Sequence, residues 1–175
     1  GQLIWGKTER GAKIQIDKKS IRVSEDGFFA FGLGRDRKND VVIIENINGI
    51  KSKIVKKVLK RDYKIQRIDG LPEKKVTPPK EVYDRIRAEN KLIGKARAIN
   101  TKLTYFKDKF ITPVDNAIIT GVYGSQRILN GKPRWPHYGI DIAAKKGTLI
   151  KSSGSGVVTM AEDDLYYTGG TIIMD

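Results

Sequence analysis

His137 is the only histidine in a chain of 175 residues that has no cysteine, so metal-ligating or acid–base chemistry rests on this imidazole and on carboxylates. It stands in Pro136-His137-Tyr138-Gly139-Ile140-Asp141, with Asp141 four residues downstream. An imidazole nitrogen and a carboxylate oxygen are both donors that zinc accepts. Four extended residues would set the two α-carbons ~13 Å apart, farther than the side chains bridge if each is to come within about 2 Å of one ion. The backbone must therefore bend between them. Gly139 is expected to supply that freedom, and Pro136 argues against a helix, in which an i, i+4 pair converges without a bend. A single His near an Asp is more often a surface or hydrogen-bonded residue than a ligand, and spacing alone leaves both readings open.

The elements that must position this segment read as two β units joined by a helix, a mainly β fold class. From residue 2 to 69, short apolar runs at 3–5, 12–16, 28–33, 41–44, 54–59 and 63–68 alternate with Gly, Asp and Lys. Ile14 and Ile16 alternate with Lys13, Gln15 and Asp17, the period of a strand with one buried face. Phe31-Gly32-Leu33-Gly34 lacks the third glycine and the following helix of a nucleotide loop, and reads as a strand end and turn. The expected domains are a small N-terminal β-sandwich over 1–72, a linker over 73–108 and a second β domain over 109–175. In the linker, Thr77 as N-cap and Pro78 in the first turn start a helix over about 78–99. Val82, Ile86, Ile93 and Ala96 form its apolar stripe, with Glu81, Arg85, Arg87, Glu89 and Lys95 on the other faces. Beyond residue 109, strands are expected at 117–119, 140–143, 148–150, 156–160 and 171–174, separated by Gly-bearing turns.

Thirty-four Lys and Arg against twenty Asp and Glu leave a net charge of +14, which attracts nucleic acid, anionic membranes or the acidic polymers of a bacterial envelope. The basic residues are spread from Lys7 to Lys151, and no zinc finger or RNP-like aromatic strand accompanies them, so nucleic acid is not an expected partner. No apolar run is long enough to span a bilayer, so no transmembrane segment is expected. Gly1-Gln2-Leu3 does not open like a secretory signal, and an exported protein would already have lost its own. The absence of cysteine excludes disulfides and thiolate metal sites.

The run His137-Tyr138-Gly139-Ile140-Asp141-Ile142-Ala143-Ala144, followed by Gly147-Thr148-Leu149-Ile150 and Gly154-Ser155-Gly156-Val157-Val158, resembles the signature of the lysostaphin-type (LytM-domain) zinc metallopeptidases. Upstream, Thr112-Pro113-Val114 and Gly121-Val122-Tyr123-Gly124-Ser125-Gln126-Arg127 look like the opening strand and the Gly-to-Arg turn of the same domain. This resemblance covers residues 110–175. The earlier part is more loosely similar to Gram-negative members, in which a small β-sandwich and a connecting helix precede the peptidase; 66–72 through Pro78-Pro79 resembles their linker and carries no catalytic residue.

The resemblance implies that 109–175 is the first half of a LytM-type antiparallel β-sheet domain of the duplicated hybrid motif kind. It implies Zn2+ as cofactor with His137 and Asp141 as metal ligands, and a periplasmic or cell-envelope location. The implied activity is endopeptidase cleavage of peptidoglycan peptide cross-links, zinc lowering the pKa of bound water and polarising the scissile carbonyl. In the family, the third ligand and a catalytic histidine come from later motifs, and neither occurs up to Asp175. The other carboxylates, Glu162, Asp163, Asp164 and Asp175, are recommended as a third ligand by no spacing. The chain is therefore expected to be truncated within the peptidase domain and inactive alone, its missing partner being the rest of that domain beyond Asp175. The alternative is a non-catalytic LytM-type module that binds the wall or activates another murein hydrolase, against which the retention of both His137 and Asp141 counts. Tyr138, between the two ligands, is expected to point away from the metal and pack. Arg127 and Arg134 read as a solvated turn rather than as contacts to stem-peptide carboxylates.

Overall fold

Strands form where side chains alternate because each then has one face to bury, and in the first third of the chain two sheets do so against each other. The computed structural model describes residues 1–71 and 77–175, and over these the fold is mainly β, with several small sheets and one α-helix. Strand β1 (Gln2–Lys7) pairs antiparallel with β4 (Phe28–Leu33). The second sheet, built from β2 (Lys13–Ile16), β3 (Lys19–Ile21), β5 (Val41–Ile47) and β6 (Ile50–Lys56), runs in the order β3-β2-β5-β6. Ile14 and Ile16 of β2, Phe29 of β4 and Val41 of β5 form one buried cluster, so the two sheets share an interior. The turn between β5 and β6 is Asn48-Gly49, both at positive φ, the backbone of a two-residue hairpin. Asn46 Oδ1 also accepts the Gly49 N–H at 2.9 Å.

Strand β6 ends earlier than the apolar run at 54–59 suggests. Beyond Lys56 the Val58 N–H turns to the side chain of Asp40 at 2.9 Å rather than to a strand. Strand β7 (Ile65–Ile68) leaves the N-terminal sheets altogether. It runs parallel to β9 (Gln126–Leu129), whose other edge takes β10 (Lys132–Pro133), in the order β10-β9-β7. Residues expected to close the first unit thus sit beside residues of the second. The boundary expected at 72–73 lies outside the described residues.

The helix α1 (Tyr83–Arg97) follows a single 3-10 turn, Lys80–Val82. It does not start at Thr77-Pro78 as expected. A residue that precedes proline is driven out of the helical region, so Pro78 keeps Thr77 and Pro79 keeps Pro78 from helical backbone, and Pro79 is itself extended at φ −64, ψ 151. The helix packs on the hairpin of β12 (Val158–Leu165) and β13 (Gly169–Met174), where Ala96, Met160 and Leu165 are buried together against Ile93 and Ile173. Polar contacts fix the same interface: Arg85 bonds Glu89 at 2.6 Å and Asp164 at 3.1 Å, and Glu89 accepts the Tyr166 N–H at 2.9 Å. The Arg85 hydrogen bond holds the Glu89 carboxyl below its ordinary range, against an opposing desolvation.

The last sheet pairs β8 (Ile118–Gly121) with β11 (Asp141–Ala143). Two expected strands do not join a ladder. Residues 112–114 and 148–150 lie outside any sheet; Lys151 N–H to Pro113 O and Ile111 N–H to Ser153 O, both 2.8 Å, tie the neighbouring backbone together, and the Thr148 N–H turns back to Lys145 O at 3.1 Å. Pro113 has no N–H to extend that pairing, and Leu149 is left 87% exposed. No described helix is long and apolar enough to cross a membrane.

Candidate metal centre

Antiparallel pairing of β8 with β11 sets Asp141 opposite Gly121, at an irregularity that separates Asp141 from Ile142 in the register. Just before β11 the backbone bends at Gly139, and His137 folds back toward Asp141. His137 Nε2 comes to 3.2 Å from Asp141 Oδ1, with the side chains 32% and 59% exposed. Three contacts from the segment 122–125 hold the histidine from behind. The Gly124 N–H donates to the His137 carbonyl at 2.7 Å, the His137 N–H donates to the Ser125 carbonyl at 2.8 Å, and Nδ1 stands 3.3 Å from the Val122 carbonyl.

These contacts decide what the imidazole can do. A carbonyl only accepts, so a hydrogen bond at the 3.3 Å Nδ1···Val122 O contact requires the proton on Nδ1, and that tautomer turns the other nitrogen, with its lone pair, toward a carboxylate oxygen that also only accepts. Two acceptors at 3.2 Å call for a cation between them, either a second ring proton or a metal ion. Two ligands each about 2.1 Å from a tetrahedral zinc lie about 3.4 Å apart, so the spacing fits one edge of such a site. A metal-binding histidine ordinarily donates its far N–H to a carbonyl or carboxylate, the role Val122 fills here.

The bend falls at Gly139 as expected, but the glycine whose missing side chain the arrangement needs is a second one. Gly139 is not in the left-handed region, and a Cβ there would meet nothing nearer than His137 Nε2 at 3.6 Å, an ordinary contact. At Gly121 a Cβ would fall 2.2 Å from Asp141 Oδ2 and 3.1 Å from Asp141 Cβ. The missing side chain is therefore used on the strand opposite the carboxylate.

Among the described residues no group of three or more His, Cys, Asp or Glu side chains stands close enough together to hold an ion. Asp164 is engaged by Arg85, and Asp175 accepts from the backbone N–H and the hydroxyl of Thr101. Tyr138 packs on Tyr123 with ring centroids 5.9 Å apart. Arg127 and Arg134 frame the β9–β10 hairpin, the Arg134 N–H donating to the Arg127 carbonyl at 2.9 Å. The contribution of Val122 left no trace in the sequence because it is made by a carbonyl common to every residue. No protein-family model matches this chain, and no curated protein matches it significantly.

Proposed function

We propose that the chain is part of a zinc-dependent endopeptidase that hydrolyses peptidoglycan peptide cross-links in the bacterial envelope, with His137 and Asp141 among the zinc ligands. The observation that carries this is the opposition of His137 Nε2 and Asp141 Oδ1 at 3.2 Å while Nδ1 is turned to the Val122 carbonyl. The geometry supports a metal site, and the resemblance of residues 137–158 to the lysostaphin-type signature supplies the reaction class. Zinc, when bound, brings the pKa of a coordinated water near neutrality and polarises a carbonyl. The chain's own residues prepare for this. With Nδ1 donating to Val122 the Nε2 lone pair would be free for the ion, Asp141 would contribute negative charge, and Gly121 leaves room for the carboxylate. Both ligands are partly exposed, which leaves a path for an extended peptide.

A catalytic zinc takes about three protein ligands and one open position. The proposal therefore draws the third ligand and a catalytic histidine from polypeptide other than these residues. Exposed Ile118, Ile119, Leu149, Ile150 and Ile172 on the same unit offer apolar surface for that polypeptide to cover. The charge of +14 suits an anionic envelope.

The test is incubation of the zinc-loaded parent polypeptide with purified peptidoglycan sacculi. Soluble peptides are expected to be released, and to disappear with a chelator and in His137→Ala and Asp141→Ala. Zinc-loaded protein that binds sacculi and releases nothing would replace this reading with that of a non-catalytic wall-binding module.

A further inference from the structure

The segment 122–125 that holds His137 is itself held from the opposite side by residues of the N-terminal unit. Arg35, just beyond β4, reaches across 89 positions in sequence to donate Nε–H to the Gly124 carbonyl at 2.7 Å. Its side chain is 10% exposed and bonds Asp36 at 2.6 Å. Its guanidinium carbon lies 4.5 Å from the centroid of the Tyr63 ring, and the Tyr63 hydroxyl donates back to the Arg35 carbonyl at 3.2 Å. The same ring closes over Gly124, whose φ is +90; a Cβ there would come within 2.0 Å of a Tyr63 ring carbon. Two residues further, the Gln126 N–H donates to the Lys64 carbonyl at 3.0 Å and leads into the β7·β9 pairing.

Gly124 is thus gripped on both sides, its carbonyl by Arg35 and its N–H by the His137 carbonyl. We infer that Arg35 is a positioning residue for His137, fixing the 122–125 backbone so that Val122, Gly124 and Ser125 together present the imidazole to Asp141. A charge-assisted bond from a largely buried guanidinium is stronger and more directional than a neutral one. The planar fork also stacks on Tyr63 while it donates, which a lysine ammonium does not reproduce. On this inference the N-terminal unit is a working part of the site. The inference rests on the reading of His137 as a metal ligand only for its consequence, because the cradle is complete without any ion.

Because His137 is the sole histidine, its imidazole signals in the 15N-labelled, metal-free chain need no further assignment. The comparison is among the parent, Arg35→Lys, Arg35→Met and Val41→Ala, the last a core change in the same N-terminal unit that lines the cleft of Arg35 and Tyr63 but takes no part in the hydrogen bonds to segment 122–125. In the parent the signals should show a single ring environment with a proton on Nδ1. In Arg35→Met that signature is expected to be lost or averaged with the other tautomer, and in Arg35→Lys partly so; Val41→Ala should keep the parental pattern despite its lower stability. Titration with Zn2+ alone should then show affinity about tenfold weaker in Arg35→Met, the lower end of what loss of an orienting contact costs a metal site. Parental His137 signals in both folded Arg35 variants, or equal changes in Val41→Ala, would overturn the inference. Should Arg35→Met not fold, Arg35→Lys decides by the same criterion. If signals move only in the Arg35 variants while Zn2+ binds none of the proteins, Arg35 keeps its role and the metal reading fails.

Discussion

Gly121→Ala separates damage to the site from damage to the fold. An alanine Cβ at 121 would sit 2.2 Å from Asp141 Oδ2, 2.9 Å from its Cγ and 3.1 Å from its Cβ. Non-bonded heavy atoms settle near 3.5 Å, so the carboxylate has to retreat by about 1 Å. What retreats is chiefly the end of a side chain that is 59% exposed, while the Asp141 Cβ at 3.1 Å asks only a few tenths of an ångström of the strand. Rotating it off its preferred angle costs about 0.5–1.5 kcal/mol, partly offset by the roughly 0.5–1 kcal/mol that alanine gains over glycine in a regular element. Stability should therefore change by less than about 1 kcal/mol. A zinc site holds its ligands within about 0.2 Å, so the same displacement takes Asp141 out of register with His137, and Zn2+ affinity should fall about tenfold or more. Urea unfolding gives the first quantity, and competition against a chromophoric chelator at neutral pH gives the second. Unchanged Zn2+ affinity in a folded Gly121→Ala chain would refute the assignment of Asp141 as a ligand. A loss of several kcal/mol would refute the claim that the side chain, rather than the β8·β11 backbone, yields.

Three further outcomes follow from the packing. Gly124→Ala places a side chain at φ +90 against the Tyr63 ring, and about 1–2 kcal/mol for left-handed backbone with about 1–3 kcal/mol for overpacking should lower the urea midpoint accordingly. Val41, 1% exposed at the centre of the N-terminal cluster, should lose about 2 kcal/mol as alanine, read from the same unfolding curves. The Glu89 carboxyl is held below its ordinary value of 4.5 by Arg85, so its contribution is complete above that value and fades as pH falls below it through the lower folded value. Glu89→Gln should accordingly be less stable than the parent at neutral pH and converge with it in acid, and a parallel offset at every pH would count against the pairing.

The strands legible in the sequence were those that obey a local rule. Lys13 to Ile16 alternates cleanly, and Ile14 and Ile16 are buried; the runs at 28–33 and 41–44 fall within β4 and β5. Asn48-Gly49 and Asn130-Gly131, both pairs at positive φ, are strong hairpin signals that mark the starts of β6 and β10. Residues 148–150 misled because apolar residues record a tendency to be covered but do not say by what, and no ladder partner stands beside them. At the site, the donor types and the need for a bend were readable from His137, Gly139 and Asp141. The approach of Gly121 to Asp141 required the register of β8 on β11. The grip of Arg35 on Gly124 required a contact between parts of the chain 89 residues apart, which no local pattern encodes.

The parallel pairing of β7 with β9 also bears on the order in which the molecule assembles. The β5–β6 hairpin closes over two residues, an event of microseconds, and the buried cluster of Ile14, Ile16, Phe29 and Val41 draws on residues close in sequence. The register Ile65 to Gln126 closes a far longer loop, and that entropy is lost before any contact rewards it. The cradle of His137 hangs on this late junction. A chain emerging or recovering from unfolding would possess its N-terminal interior well before it possessed an oriented imidazole, and local opening at the junction would release the histidine while the rest of the structure stayed closed.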